Sequence, residues 1–281
     1  MEHKILKFLS VFCLICMSAC EKIDLKGMFV SYEYVNERFE QSMEWNTIHP
    51  YKEIAVSENS YKVFAMSDSH IGGVINFNLF VNDALNANAC ALIMDGDITT
   101  GRDYDYNTLQ QNIPKSDTIA SFLTVGNHDL YFNGWNEFFP RFGASVYYFS
   151  VRTPEAADLY ISLDSGSGTL GSKQLEWLKN ILENERPKYR HCIIFTHVDF
   201  FRYRHTSSTN PVVEELYILM DLFVKNNVNM LITGHDHQKD VEIFGNTAYI
   251  TLDALLDGYN QAGYLQLSVT NNNVDYTFVN F

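Results

Sequence analysis

The sequence Ala91-Leu92-Ile93-Met94-Asp95-Gly96-Asp97 passes from an apolar run directly to two carboxylates separated by one glycine. A short apolar run with sharp bounds is typical of a strand buried on both faces, and it is too short to span a bilayer. Open α/β sheets place their functional sites at the carboxyl ends of parallel strands. We therefore expect Asp97 to lie at such an edge of a sheet.

Four further apolar runs end in polar residues of the same few types. Residues 63–67 precede Asp68-Ser69-His70, residues 122–125 precede Gly126-Asn127-His128-Asp129, residues 192–196 precede His197, and residues 230–233 precede Gly234-His235-Asp236-His237. Aspartate, asparagine and histidine offer the oxygen and nitrogen atoms that divalent and transition metals bind. The five strand ends together predict one metal site.

The chain has 281 residues, enough for one large α/β domain with a complete core. Strands alternate with helices from residue 61 onward, which predicts parallel pairing. Helices are expected at about 35–45, after a cap at Asn76, at about 107–112, at 172–184 and after a cap at Asn210. Strands near 146–151 and 159–163 should form a hairpin, and the alternating C-terminal residues suggest a second, antiparallel sheet packed on the first.

The first twenty residues have the layout of an export signal. Lys4 and Lys7 precede an apolar segment, residues 8–17, that ends in Ser18-Ala19-Cys20. A cysteine directly after small residues resembles the bacterial lipoprotein signal, in which this cysteine becomes the lipid-bearing N-terminus. We predict a signal peptide at 1–19, a tether and N-terminal extension at 20–60 and the main domain at 61–281. The protein would be exported to the cell envelope and attached to a membrane through a lipid on Cys20; a plain secretory signal or an uncleaved anchor is the alternative.

Removal of residues 1–19 takes away two lysines and one glutamate, which moves the formal charge from −14 to −15. An acidic protein repels nucleic acids at long range, so the charge argues against a dedicated DNA or RNA binder and favours a small substrate. Of the five cysteines, only Cys90 and Cys192 lie in the main domain, each at the start of an apolar strand. We predict that both are free buried thiols.

Seven side chains at the strand ends are candidate metal ligands. They are Asp68, His70, Asp97, Asn127, His197, His235 and His237. Four imidazoles, two carboxylates and one amide oxygen are too many for a single tetrahedral ion, whereas two cations about 3.5–4 Å apart that share a carboxylate would use all seven. The sequence therefore predicts two divalent or transition metal ions, with Mn, Fe and Zn as candidates.

In this order the motifs resemble those of the calcineurin-like metallophosphoesterase superfamily: Asp-x-His, Gly-Asp, Gly-Asn-His-Asp/Glu, His and Gly-His-x-His. The resemblance covers residues 61–281 and implies an α/β fold, a two-sheet α/β/β/α sandwich. It also implies that Asp68, His70 and His237 bind one metal, that Asn127, His197 and His235 bind the other, and that Asp97 bridges them. By the same resemblance His128 is the general acid or electrostatic clamp at the leaving oxygen, and Asp129 is a candidate for orienting it.

The predicted activity is metal-dependent hydrolysis of phosphate esters, in which a hydroxide held between two cations attacks phosphorus. The choice between monoester and diester is open, and a phosphodiesterase acting on nucleotides or phospholipid head groups is an alternative. A non-catalytic metal-binding lipoprotein is an alternative from another class, and it predicts gaps in the ligand set. Arg202, Arg204 and His205 form a basic patch that either binds the substrate phosphate or is a solvated loop.

Overall fold

The computed structural model describes residues 33–50, 52–201 and 209–281. Within these residues the chain forms six α-helices: α1 (Val35–Ile48), α2 (Ile75–Asn86), α3 (Asp103–Asn112), α4 (Trp135–Phe142), α5 (Gly171–Asn184) and α6 (Val213–Lys225). The strands of the same residues are β1 (Glu53–Ala55), β2 (Tyr61–Met66), β3 (Ala91–Asp95), β4 (Ala120–Thr124), β5 (Tyr147–Arg152), β6 (Ala157–Leu163), β7 (Cys192–Thr196), β8 (Met230–Thr233), β9 (Asp240–Phe244), β10 (Thr247–Thr251), β11 (Gly263–Val269) and β12 (Val274–Asn280). None of these helices is long and apolar enough to cross a bilayer.

The strands form two sheets. The five-stranded sheet has the order β12-β11-β2-β3-β4, in which β2, β3 and β4 run parallel and β11 and β12 join them as antiparallel neighbours. The seven-stranded sheet has the order β1-β5-β6-β7-β8-β10-β9, and β6, β7, β8 and β10 run parallel at its centre. The five apolar runs are thus divided between the sheets, three in the first and two in the second.

The central strands pack against a different core on each face, because successive side chains of a strand point to opposite sides. In β2, Val63 and Ala65 lie between the two sheets, whereas Phe64 packs beneath α2, α3 and α4. In β7, Phe195 lies between the sheets and Ile194 packs with α5 and α6. Burial on both faces explains why these runs are continuously apolar. The layers are helix, sheet, sheet, helix, which confirms the predicted α/β/β/α sandwich.

The predicted hairpins are present, but the C-terminal stretch does not form a sheet of its own. β5 pairs antiparallel with β6, and β9 with β10 across the turn at Gly245. The β9–β10 hairpin extends the seven-stranded sheet through β8, whereas β11 and β12 extend the five-stranded sheet through β2. Leu265 and Leu267 of β11 thereby enter the core between the sheets. The C-terminal strands therefore complete both sheets.

Two predicted helix starts are wrong. Asn76 lies inside α2, and the Asp257 carboxylate accepts hydrogen bonds from the backbone N–H groups of Ile75 at 3.0 Å and Asn76 at 2.8 Å. A carboxylate there satisfies free N–H groups and favours the helix dipole, yet Asp257 is too distant in the sequence for a local pattern to show it. Asn210 does not cap α6 either, because that helix begins at Val213.

The first helix is joined to the main domain by a buried ion pair. Arg38 of α1 is fully buried, and its Nε and Nη2 atoms donate to the two carboxylate oxygens of Asp164 at 2.7 and 3.0 Å. The same guanidinium also donates to the Glu33 carbonyl and to Ser167 Oγ. In addition, β1 pairs in parallel with β5. Helix α1 and strand β1, both in the predicted N-terminal extension, thus pack onto the main domain.

This ion pair gives the first prediction. Arg38→Ala leaves the Asp164 carboxylate buried without its counter-charge, so we expect the free energy of unfolding to fall by about 3–5 kcal/mol. Urea denaturation followed by circular dichroism measures the change. Arg152→Ala is the matched control, because Arg152 pairs with Glu53 in an exposed position and such pairs contribute about 0–1 kcal/mol. Equal losses for the two variants would contradict the assigned role of Arg38.

The two thiols of the main domain give the second prediction. Cys90 and Cys192 are both free; Cys192 is buried as predicted, whereas Cys90 is only half-buried, and desolvation raises the pKa of each to about 12. Because the thiolate is the reactive form, we expect neither cysteine to react with iodoacetamide at pH 8 in the folded protein and both to react in urea. Peptide mass mapping resolves each site. Labelling of Cys192 in the folded protein at the rate of a free peptide thiol would show that the thiol is accessible.

Candidate metal centre

The five polar strand ends meet at one place, where the ends of β2, β3 and β4 approach those of β7 and β8. Backbone hydrogen bonds hold the loops together: the N–H of Asp68 donates to the Gly96 carbonyl at 3.1 Å, and that of His70 to the Asp97 carbonyl at 3.0 Å. Across the sheets, the backbone N–H of His235 donates to Asp68 Oδ2 at 2.8 Å. The candidate ligands therefore converge because both sheets end at the same edge of the sandwich.

The first group of candidate ligands surrounds Asp68. Asp68 Oδ1 lies 3.0 Å from His237 Nε2 and 3.8 Å from His70 Nε2. The two imidazole Nε2 atoms are 3.3 Å apart. This group could hold one metal ion, since the three ligand atoms lie within 4.8 Å of one another.

The second group surrounds Asp97. Asp97 Oδ2 lies 3.2 Å from His197 Nε2, and Asp97, His197 and His235 offer ligand atoms within 4.8 Å of one another. Asn127 precedes His128, whose backbone N–H donates to Asp97 Oδ1 at 2.6 Å. The Asn127 amide donates through Nδ2 to Tyr131 Oη at 3.1 Å, which leaves its Oδ1 atom available as a ligand.

The two groups form one continuous cluster. His197 Nε2 of the second group lies 4.0 Å from Asp68 Oδ1 of the first. Asp97 also forms a third group with His70 and His128, again with ligand atoms within 4.8 Å. Asp97 thus lies within ligand distance of side chains from both groups, as a bridging carboxylate would. The assignment of individual ligands to each metal stays a prediction from the resemblance.

The backbone at the site is strained. Ten non-glycine residues of the described chain have a positive φ, and five of them are candidate ligands: Asp68 (54°), His70 (39°), Asp97 (47°), His235 (67°) and His237 (58°). Left-handed conformations are uncommon for residues other than glycine, and they persist where the surrounding structure enforces them, often at functional sites. The concentration of strain at these residues indicates that the fold is organised to hold them in place.

Two motif glycines are required by close packing. A Cβ atom on Gly126 would collide with the Asp97 backbone and carboxylate, and one on Gly234 would collide with the side chains of Ser67 and Asp68. Any larger residue at either position would therefore push these loops apart. This explains why the candidate ligands follow glycine in these motifs.

Hydrogen bonds fix which atom of Asp68 and of His197 faces the centre. Ser67 Oγ donates to Asp68 Oδ2 at 2.7 Å, which leaves Oδ1 as the free oxygen of that carboxylate. His197 Nδ1 lies 2.9 Å from the Asp95 carbonyl oxygen. Because a carbonyl can only accept, Nδ1 carries the proton and Nε2 is left to bind a metal. Neither Ser67 nor Asp95 is a predicted ligand; Ser67 directly precedes Asp68 in the sequence, and Asp95 lies two residues before Asp97.

The pKa shifts follow from burial and from the opposite charges within the cluster. Burial lowers the pKa of His70 to about 4, which keeps its imidazole neutral. Burial opposes charge on His197 as well, but Asp97 and Asp68 outweigh it and raise the pKa of His197 to about 10. Burial similarly raises the pKa of Asp68, yet His237 and His197 hold it below its ordinary value. The buried carboxylates therefore attract positive charge into the centre.

The donor set fits a pair of metal ions. Asp68 Oδ1, Asn127 Oδ1 and His197 Nε2 are buried and find no hydrogen-bond partner of good geometry among the described residues, although buried polar atoms are nearly always hydrogen-bonded. All three are the atoms that the resemblance assigns to metals. Carboxylate, amide and imidazole donors together suit borderline ions such as Mn, Fe and Zn. The described residues are thus consistent with a dinuclear centre.

His128 lies beside the cluster and is partly open to solvent. Its side chain is 36% exposed, its Nε2 atom lies 3.9 Å from Asp97 Oδ2, and its ring packs against those of His70 and Tyr131. Tyr131 comes from the aromatic stretch that follows the Gly-Asn-His-Asp motif. We predicted no specific role for Tyr131 from the sequence, although its hydroxyl accepts a hydrogen bond from Asn127 and orients that side chain.

Asp129 does not orient His128 by direct contact, contrary to expectation. Its buried carboxylate accepts hydrogen bonds from the backbone N–H groups of Gly126 at 2.9 Å and Thr99 at 2.8 Å, and from Thr99 Oγ1 at 2.9 Å. No hydrogen bond in the described part of the chain joins it to the His128 ring. Asp129 instead ties the loop that carries His128 to the loop after Asp97. The basic patch of Arg202, Arg204 and His205 lies outside the described residues, and so does Cys20.

Comparisons with known proteins agree with the fold and the motifs. The model of the family described as calcineurin-like phosphoesterase matches residues 61–239. Among curated proteins none matches this chain. Similar solved structures include "GAP50 the anchor in the inner membrane complex of Plasmodium", with a TM-score of 0.61 and 13% identity over 79% of this chain and 85% of that one. A dimetal phosphatase from Danio rerio has a TM-score of 0.60 and 11% identity over 78% of this chain and 96% of that one.

A putative 5'-nucleotidase from Staphylococcus aureus has a TM-score of 0.54 and 17% identity over 79% of this chain and 54% of that one. At these identities the likeness shows the fold alone. The family match is stronger, because it covers more than half of the chain and includes the motifs whose residues meet in the site. The chain belongs to the calcineurin-like phosphoesterase family, a family of phosphoric ester hydrolases.

Proposed function

We propose that this protein hydrolyses phosphate esters with a dinuclear metal centre in which Asp97 is shared. The proposed ligands are Asp68, His70, Asp97, Asn127, His197, His235 and His237. The observation that supports the proposal most is the continuity of the cluster: two groups of ligand atoms, each built on a buried carboxylate, are linked through Asp97 and His197. One isolated group would serve a structural ion equally well, whereas two linked groups suit the chemistry of phosphate transfer.

When bound, two such cations supply a water molecule whose pKa is lowered from ~15.7 toward about 7, and they neutralise charge on the phosphoryl oxygens. The chain holds its ligands rigidly through Ser67, the Asp95 carbonyl and the strained loops. Such preorganisation avoids reorganisation during the reaction.

His128 is the proposed general acid at the leaving oxygen. The hydrogen bond from its backbone N–H to Asp97 fixes its position relative to the centre. Its partly exposed ring can take a proton from solvent and give it to the leaving group. Asp129 acts on this residue through the backbone, as a positioning residue.

The substrate class is tested with p-nitrophenyl phosphate and bis-(p-nitrophenyl) phosphate. We expect the metal-loaded protein to hydrolyse at least one of them and to lose that activity in EDTA. A higher kcat/KM for the monoester supports a phosphomonoesterase, and a higher value for the diester supports the alternative that acts on nucleotides or phospholipid head groups. Failure of the metal-loaded protein to hydrolyse either ester, across Mn, Fe and Zn, would contradict the proposal.

A non-catalytic protein is the second candidate, because one of the similar structures is described as an anchor in a membrane complex. Proteins of this fold are therefore described both as an anchor in a membrane complex and as a dimetal phosphatase. Each strand end of this chain nevertheless supplies its ligand residue, and buried ligand atoms remain free for metal. These observations favour the enzyme.

The protein is further proposed to be exported and anchored through a lipid on Cys20. The support is the sequence pattern of residues 1–20. Mass spectrometry of the mature N-terminus tests this directly, with Cys20→Ser as the control that should leave the membrane fraction. An unmodified mature N-terminus at a residue other than Cys20 would contradict the lipid anchor.

A further inference from the structure

A cavity of about 520 Å³ opens beside the proposed metal centre. Its inner wall includes His70 and His128, and its outer wall includes Arg102, Tyr104 and Phe132. The cavity therefore connects the residue proposed to protonate the leaving oxygen with a rim that no step of the mechanism uses. A leaving group that departs past His128 would lie in this space.

Arg102 is unusual among the arginines of the described chain. Four of the others, Arg38, Arg141, Arg152 and Arg190, pair with carboxylates, and Arg186 donates to three backbone carbonyls. The Arg102 guanidinium makes no hydrogen bond or ion pair within the described residues; it lies over the Phe132 ring, 4.4 Å from its centroid. An exposed cation that has no ionic partner among the described residues, in a chain of net charge −14, is available to bind an anion.

The nearest carboxylates in the sequence are engaged elsewhere. Asp103 pairs with Arg141 at 2.6 Å, and Asp105 is buried and accepts a hydrogen bond from the Thr100 hydroxyl. Both lie in the first turn of α3, directly after Arg102. The positive charge at the cavity rim is therefore not neutralised by its own neighbours.

Phe132 has an exposed side chain and an unfavourable backbone conformation. The residue is 51% exposed, and its φ is 55°, a left-handed value that is costly for an aromatic residue. Exposure and backbone strain together point to a functional role for the Phe132 ring at the rim of the cavity. Its visible effect is to support the Arg102 guanidinium by a cation–π contact.

We propose that Arg102, supported by Phe132, is a binding site for a second anionic group carried by the leaving portion of the substrate. The ligand class is a phosphate ester whose leaving group bears a carboxylate or a further phosphate. The planar guanidinium suits either, because it can donate two parallel hydrogen bonds to two oxygens. This inference rests on the proposed function, since it places the leaving group on the His128 side of the centre.

Binding of non-hydrolysable ligands tests the proposal without relying on turnover. The probes are benzylphosphonate and its derivatives with a carboxylate or a phosphonate at the 4-position, measured by calorimetry on the metal-loaded protein. We expect either added anion to tighten binding by about tenfold or more, since a charge-assisted contact is gained. The larger of the two gains identifies the preferred group.

Arg102→Gln is the test variant and Arg152→Gln the matched control. Arg102 contributes only its backbone carbonyl to the start of α3, so the substitution leaves the helix hydrogen bonds in place. We expect the advantage of the added anion to disappear in Arg102→Gln and to remain in Arg152→Gln. Phe132→Asn, which suits the left-handed backbone and removes the ring, should reduce the advantage partly.

The outcomes separate this inference from the proposed function. No advantage of either added anion in the unaltered protein, or an advantage that survives in Arg102→Gln, overturns the anion site. The matched phenyl phosphates report turnover in parallel. If the anion advantage depends on Arg102 while no phosphate ester is hydrolysed, the binding site stands and the proposed function fails.

Discussion

Asp97→Ala is expected to lose both metal ions and to lower kcat/KM for phosphate esters by about 10³-fold or more. The reason is that Asp97 lies within ligand distance of side chains from both groups of the cluster, so its removal weakens both sites at once. Metal ions supply several kcal/mol of transition-state stabilisation, and each step of about 1.4 kcal/mol is tenfold in rate. Elemental analysis of the purified variant and steady-state kinetics measure the two effects.

Asp275→Ala is the matched control for Asp97→Ala, because it removes an exposed carboxylate from β12. It should keep its metal content and its activity. An Asp97→Ala protein that binds two ions per chain and hydrolyses phosphate esters at the unaltered rate would remove Asp97 from the centre.

His128→Ala is expected to give the complementary result, with metal content unchanged and kcat lowered by about 10²–10⁴-fold. Alanine keeps the backbone N–H that donates to Asp97, so the geometry of the centre is preserved. What is lost is the ring beside the cluster and its ability to give a proton to the leaving oxygen. Kinetics with substrates of rising leaving-group pKa should show the largest loss for the poorest leaving group.

His49→Ala serves as the control for His128→Ala, since His49 is exposed at the end of α1 and stacks on Trp45. It should change neither metal content nor kcat. A His128→Ala protein with two metals and full activity would refute the general-acid assignment, whereas loss of metal in this variant would make His128 a ligand.

The elements of the fold could be predicted from local sequence, but their division between two sheets could not. The apolar runs of β2 and β7 look alike, because both strands are buried on both faces. Neither run indicates that Val63 and Phe195 belong to different sheets and pack in the same core between them. That information came from the resemblance to a known family, whose motif order implied the sandwich.

Long-range polar contacts set several features that the local sequence could not show. The start of α2 is set by Asp257 and the position of α1 by Asp164, and neither partner is near its helix in the sequence. Asp129 shows the same limitation, since it is adjacent to His128 in sequence but bonds to the loop after Asp97. Sequence motifs identify the residue types that a site needs; the tertiary structure decides which of them touch.

The polar ends of five strands form the proposed centre for two metal ions. Elemental analysis of active protein, purified without chelators and with its phosphatase activity measured on the same sample, tests it most directly. We expect two ions of Mn, Fe or Zn per chain, with activity lost when a chelator removes them. Full activity in protein that contains no metal would contradict it.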